Sequence, residues 1–89
     1  MAETPTVLQR FGAAVRQYRQ ARGFTQHDLA AHTGLHYSYI GDVERGNRNV
    51  TLQTLLRLAQ GLGVRPAQLL ECFDTLPRQE GVESQTDPL

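Results

Sequence analysis

Lysine is absent from this chain, cysteine occurs once, and no apolar run approaches the length of a membrane span. Each gap removes a class of protein. The single cysteine, Cys72, rules out an internal disulfide, and without cysteine pairs or a close histidine cluster no zinc spacing can be drawn. A spanning helix needs about 20 consecutive apolar residues, and the opening MAETPTVLQR lacks a basic stretch followed by an apolar one. The expectation is a soluble, cytoplasmic protein. Its 89 residues give one domain at most, and a chain this short buries only about 60% of its unfolded surface. A second copy would enlarge that small core.

All nine basic residues are arginine. The guanidinium favours planar, two-pronged contacts with phosphate or base edges, although a GC-rich genome produces the same bias. Net charge is zero but unevenly placed. Residues 1–73 hold eight arginines against Glu3, Asp28, Asp42, Glu44 and Glu71, whereas residues 74–89 hold Arg78 against four acids, so the body is +3 and the tail −3.

Five short helices are predicted. From Thr6 to Ala21, Leu8, Phe11, Val15 and Tyr18 recur at spacings of three and four, and Gly23 stops the run. In TQHDLAAHTG, Thr25 caps a second helix and Asp28 returns a capping-box bond, with Leu29 and Ala30 inward and Gly34 at the end. A third runs from Tyr37 to Arg45 and stops at Gly46, with Ile40, Val43 and Glu44 on its inner side. Thr51 caps a fourth, whose apolar stripe reads Leu52, Leu55, Leu56, Ala59 and Leu62. Arg65-Pro66 opens a fifth, through Leu69, Leu70 and Phe73. The sequence thus reads as an all-α domain over residues 6–73 followed by a disordered acidic tail over 74–89.

The second and third helices flank His32-Thr33-Gly34-Leu35-His36, which is helix-turn-helix spacing. The stretch GFTQHDLAAHTGLHYSYIGDVERGNRNVTLQTLLRLAQGLGV resembles the Cro and phage-repressor type of helix-turn-helix domain, the XRE family, over about residues 8–71. Gly23, Thr25-Gln26, Leu29-Ala30, Gly34, Tyr39-Ile40, Glu44-Arg45-Gly46 and Arg48-Asn49 carry the likeness. Within that family, the small size and the YI..VERG.RN.TL segment are most similar to the controller proteins of restriction-modification systems. The resemblance implies a five-helix lambda-repressor-like fold, DNA binding through the third helix, and a homodimer on a palindromic operator. It also implies an ion pair between Arg19 and Glu44; independently, Glu44 lies on its helix's inner arc, where a buried acid needs a partner.

With Ile40 as the inward reference at about 100° per residue, Ser38, Asp42 and Arg45 fall on the outer face, flanked by Gly41 and Tyr37 on one side and Tyr39 on the other. Tyr37 is expected to meet a thymine methyl or a base acceptor, and Ser38 any base edge. The ring of Tyr39 either offers its hydroxyl to DNA or packs half-buried on the second helix. Asp42 either accepts from cytosine N4, or repels phosphates and so disfavours wrong sites, or pairs with Arg45 three residues on. Gly41 costs about 1 kcal/mol in mid-helix, which suggests that DNA approaches the helix backbone there. Gln26 opens the second helix, where a phosphate is favoured. Arg45, Arg48 and Asn49 are placed to hold the phosphate backbone, His36 to cap the third helix or touch a phosphate, and Arg22 to reach a phosphate.

The dimer surface is expected from Leu69, Leu70 and Phe73, with Leu76 beyond them. Cys72 reads as a small buried apolar group. His27, His32 and His36 have no cysteine and no carboxylate except Asp28 beside them, and no nucleophile-base set or phosphate loop exists, so no enzyme, cofactor or metal is expected. The expected partners are double-stranded DNA and a second copy, with no membrane and no indicated small-molecule effector. An alternative is an antitoxin-type module whose acidic tail covers a basic toxin while its helix-turn-helix regulates the operon.

Overall fold

Thr6 opens the first helix by closing a capping box, in which its hydroxyl accepts from Gln9 N–H at 3.1 Å and the Gln9 amide oxygen accepts from Thr6 N–H at 2.9 Å. The computed structural model describes residues 4–74. Over that span the chain forms α1 (Val7–Ala21), α2 (Gln26–Thr33), α3 (Tyr37–Glu44), α4 (Leu52–Leu62) and α5 (Pro66–Leu70), closed by a single 3₁₀ turn at Glu71–Phe73. Among the described residues there is no strand. The acidic tail and Leu76 lie outside the described residues, Asp74 apart.

The predicted caps account for where the helices start. Thr25 and Asp28 exchange bonds of 2.8 and 3.0 Å at the head of α2. The Thr25 N–H, donating to the Asp28 carboxylate, does most to hold that carboxyl below its ordinary range, with the Thr25 side chain next. Thr51 Oγ1 accepts from Thr54 N–H at 3.1 Å, and Pro66 takes the first position of α5. Between α2 and α3, Gly34 adopts φ 76°, a left-handed conformation that ends α2 and turns the chain. Thr33 fixes that turn from inside. Its hydroxyl donates to the Leu29 carbonyl at 2.9 Å and accepts from Leu35 N–H at 3.1 Å.

Phe11, Val15, Leu29, Ile40, Val43, Leu55, Leu58, Ala59, Leu62 and Leu69 make the core. Fully burying each large aliphatic side chain contributes about 1.5–3 kcal/mol. The stripe of α4 differs from the predicted one. Leu58 is fully buried, while Leu52 and Leu56 are exposed. Leu55, Leu58, Ala59 and Leu62 follow the i, i+3, i+4, i+7 spacing of a single face; Leu56 lies about 100° off it, and Leu52 sits on the first, projecting turn.

Helix α1 crosses α3 at Gly12. A Cβ there would stand 2.6 Å from the Glu44 carbonyl oxygen and closer still to that of Val43. Because neither obstacle is a movable side chain, this glycine sets how closely α3 is seated on α1. On the other side α2 packs against α4, where Gly61 admits the methyl of Thr33. The pair α2 and α3 is thereby held between α1 and α4, with the outer face of α3 left uncovered.

Candidate nucleic-acid interface

The seat of α3 is electrostatic as well as steric. Arg19 grips Glu44 with two bonds, Nε to Oε2 at 2.6 Å and Nη2 to Oε1 at 3.1 Å, and its Nη1 donates to the Phe24 carbonyl at 2.8 Å. Gln26 Nε2 adds a third donor to Glu44 Oε1 at 3.1 Å. One carboxylate on α3 is thus held from α1 and from the first residue of α2. Only 11% of the Arg19 side chain and 4% of that of Glu44 remain exposed, so the pair stands where solvent screens it little. Every buried polar side-chain atom among the described residues has a partner.

Against this anchored side, the opposite face of α3 presents Tyr37 and Ser38 exposed and Asp42 half-buried, with Arg45, Arg48 and Asn49 exposed at and after the helix end. His36 caps α3. Its Nδ1 accepts from Ser38 N–H at 3.2 Å and lies 2.8 Å from Ser38 Oγ. The ring of Tyr37 stacks between His27, 4.1 Å away, and His36, 4.9 Å away, which stiffens the leading residue of the helix. Tyr39 packs half-buried on the core with the Arg48 guanidinium 5.4 Å over its ring.

Two expectations need correction here. Gly41 is not open to an approaching backbone: it is buried, and a Cβ would meet Arg45 Nη1 at 3.2 Å and Gln26 Oε1 at 3.4 Å. The glycine makes room for the protein's own side chains, which fold over it from both ends of the motif. Arg22 does not reach toward the reading face. It donates from Nη1 to the Leu62 carbonyl at 2.6 Å and lies over Phe24, which places its charge at the negative end of α4.

A helix-turn-helix family model matches residues 15–69. The chain belongs to the helix-turn-helix family. It is similar to control protein C.BamHI of Bacillus amyloliquefaciens, at 44% identity over 67 residues, 74% of this chain and 82% of that protein. Control protein C.SmaI of Serratia marcescens is 50% identical over 56 residues, covering 63% of this chain and 67% of its own. Among solved structures, the restriction-modification controller protein C.AhdI from Aeromonas hydrophila matches with a TM-score of 0.69 and 47% identity, over 70% of this chain and 94% of that chain. The protein is accordingly a DNA-binding transcription regulator of the Cro and phage-repressor type.

In this helix-turn-helix regulator the predicted dimer residues separate. Leu69 is fully buried in the core and has no surface to offer a second copy, because it faces α1 and α4. Leu70, one step round the helix, is 41% exposed, and Phe73 is partly exposed beside it. Both line a shallow apolar groove with Val7, Leu8, Phe11 and Val50. Cys72 is half-buried with its thiol toward the Leu69 carbonyl at 3.5 Å, and burial pushes its pKa up, so it stays a thiol. No helix among the described residues is long and apolar enough to cross a membrane, and among them no three metal-ligating side chains converge.

The close contact at Gly12 and the stacking of His27 on Tyr37 are not legible in the sequence as read above. Gly12 had a signal, a glycine inside an apolar helical stripe next to Phe11, whereas the stacking of His27 on Tyr37 joins two helices and leaves no trace in the periodicity of either.

Proposed function

We propose that this protein is a sequence-specific, double-stranded DNA-binding regulator that acts as a homodimer on a palindromic operator, serving as the controller protein of a restriction-modification system. The observation that carries the reading is the division of α3 into two faces. One is locked to α1 and α2 through Glu44, and the other offers Tyr37, Ser38 and Asp42 next to a cluster of phosphate donors, Arg45, Arg48 and Asn49. Such an arrangement suits a helix lying in the major groove, with Gln26 meeting the strand at the head of α2 and two copies spaced about 34 Å apart. Leu70 and Phe73 join the copies. The controller role is supported by the names of the relatives and the matched structure, which lend the antitoxin alternative no support.

Selection from random duplex DNA tests this. A palindrome should be enriched, and Arg48→Ala should weaken binding to it, while Tyr37→Ala changes the preferred sequence. Enrichment of no palindrome, together with unchanged affinity of Arg48→Ala, would sink the proposal.

A further inference from the structure

The cations of the reading face are already occupied. Asp42 Oδ1 accepts from Arg45 Nη2 at 2.5 Å, and Asp42 Oδ2 accepts from Arg48 Nε at 3.4 Å. One carboxylate in the middle of the recognition helix therefore ties down two of the three groups placed to hold phosphate. The tether is reinforced on both sides, Arg48 lying over the ring of Tyr39 and Arg45 folding across Gly41.

The geometry points to a charge latch: in the DNA-free protein Asp42 withholds Arg45 and Arg48 from phosphate, and it releases them where a base edge supplies a donor to its carboxylate instead. This rests on the DNA-binding reading above and adds how the site discriminates. The arginine side chains are 61% and 55% exposed, and ion pairs this wet are weak, so a single base contact to Asp42 is enough to tip them open. Discrimination lies in what is left behind. When the arginines swing to phosphates, Asp42 stands unpaired in the negative field of the duplex. The amino groups at cytosine N4 and adenine N6 relieve it by donating a hydrogen bond; the acceptors of guanine or thymine at the same place do not. At such a site each copy either keeps its arginines latched and loses two phosphate contacts, or frees them and leaves a carboxylate facing acceptors. Either way the wrong base is penalised, in the first case through arginines that never touch it.

The test uses the full chain and two duplexes of equal length, the palindrome that the wild type selects and a scrambled sequence, with binding followed by fluorescence anisotropy across a salt series. Asp42→Asn keeps the side-chain shape and removes the charge. It should bind scrambled DNA more tightly, and its slope of log affinity against log salt should steepen by about 0.9 for each arginine that gains a phosphate. The palindrome-to-scrambled ratio should drop by about tenfold. Asp42→Ala should steepen the slope in the same way, and Asp42→Glu, which keeps a carboxylate, should retain the wild-type slope on scrambled DNA. An unchanged slope in both neutral variants, or equal weakening on both duplexes, overturns the latch. Failure of the wild type to select any palindrome is a different result, since it counts against the palindromic operator before a variant is made.

Discussion

Two mid-helix glycines should respond in opposite directions to the same substitution. Alanine is favoured over glycine inside a helix by about 1 kcal/mol, so propensity alone predicts stabilisation at both Gly12 and Gly41. At Gly12 the new Cβ would stand 2.6 and 2.8 Å from the carbonyl oxygen and carbon of Glu44. Ordinary contact begins near 3.4 Å, so α1 and α3 must part by most of an ångström or more across the interface that also carries Phe11, Val15, Ile40 and Val43. Overpacking of a close-packed core costs about 1–3 kcal/mol, occasionally more, and loosening Arg19 from Glu44 adds to it. A net loss of about 2 kcal/mol is expected for Gly12→Ala, which in a domain of this size lowers the Tm by about 8–16 °C. At Gly41 the new atom meets only the ends of Arg45 and Gln26, at 3.2 and 3.4 Å, and those ends can move. Gly41→Ala should therefore raise the Tm by about 4 °C. Thermal melts by circular dichroism, with urea midpoints as a second measure, read both. A Gly12→Ala melt at or above that of the wild type would refute the close seating of α3 on α1.

Glu44→Gln leaves the guanidinium of Arg19 buried without a counter-charge and should cost about 3–5 kcal/mol, seen as a large drop in urea midpoint that Arg19→Met in the same chain partly restores. Asp28 has a folded pKa below its unfolded value, so its contribution is full above the usual carboxylate range and is lost as pH falls below about 4. Urea titrations at a series of acidic pH values should show a flatter acid limb for Asp28→Asn than for the wild type, and parallel limbs would discount the capping box. Leu70→Arg should shift sedimentation from dimer to monomer with helicity and melting nearly unchanged. Leu69→Ala should instead lower stability by about 2–5 kcal/mol, as a core truncation does, and a mere loss of dimer would contradict its burial.

What the sequence disclosed was whatever depends on neighbours three or four residues apart. The helices, the Thr25–Asp28 capping box, the glycine at Gly34 and the inward set of α1 follow from local spacing, and so does the inward turn of Glu44. The misreadings arose where one helix meets another. Leu52 and Leu56 were counted into the stripe of α4 in place of Leu58, because three successive leucine-rich turns leave the stripe's centre ambiguous by one residue until the packing partner is known. The apolar pattern groups Leu69 with Leu70, yet the two point about 100° apart, and packing buries Leu69 while Leu70 stays 41% exposed. Gly41 was read as open to DNA because the reach of Gln26 and Arg45 across it is tertiary. The ion pair of Arg19 with Glu44, separated by 25 positions, was reachable through family resemblance and not through spacing.

The carboxylate of Glu44, held from α1 and α2 at once, has a consequence for how such a protein can diversify. The hydrogen bonds that hold Glu44 lie on one side of α3, and Ser38 and Asp42 on the other side take no part in them. Under the proposed DNA-reading role those two positions can be exchanged without disturbing the anchor, so a lineage can acquire a new operator by substituting a few exposed positions while the fold stays as it was. Exchange of Glu44 has no such freedom, since any change there alters the angle at which every reader is presented at once.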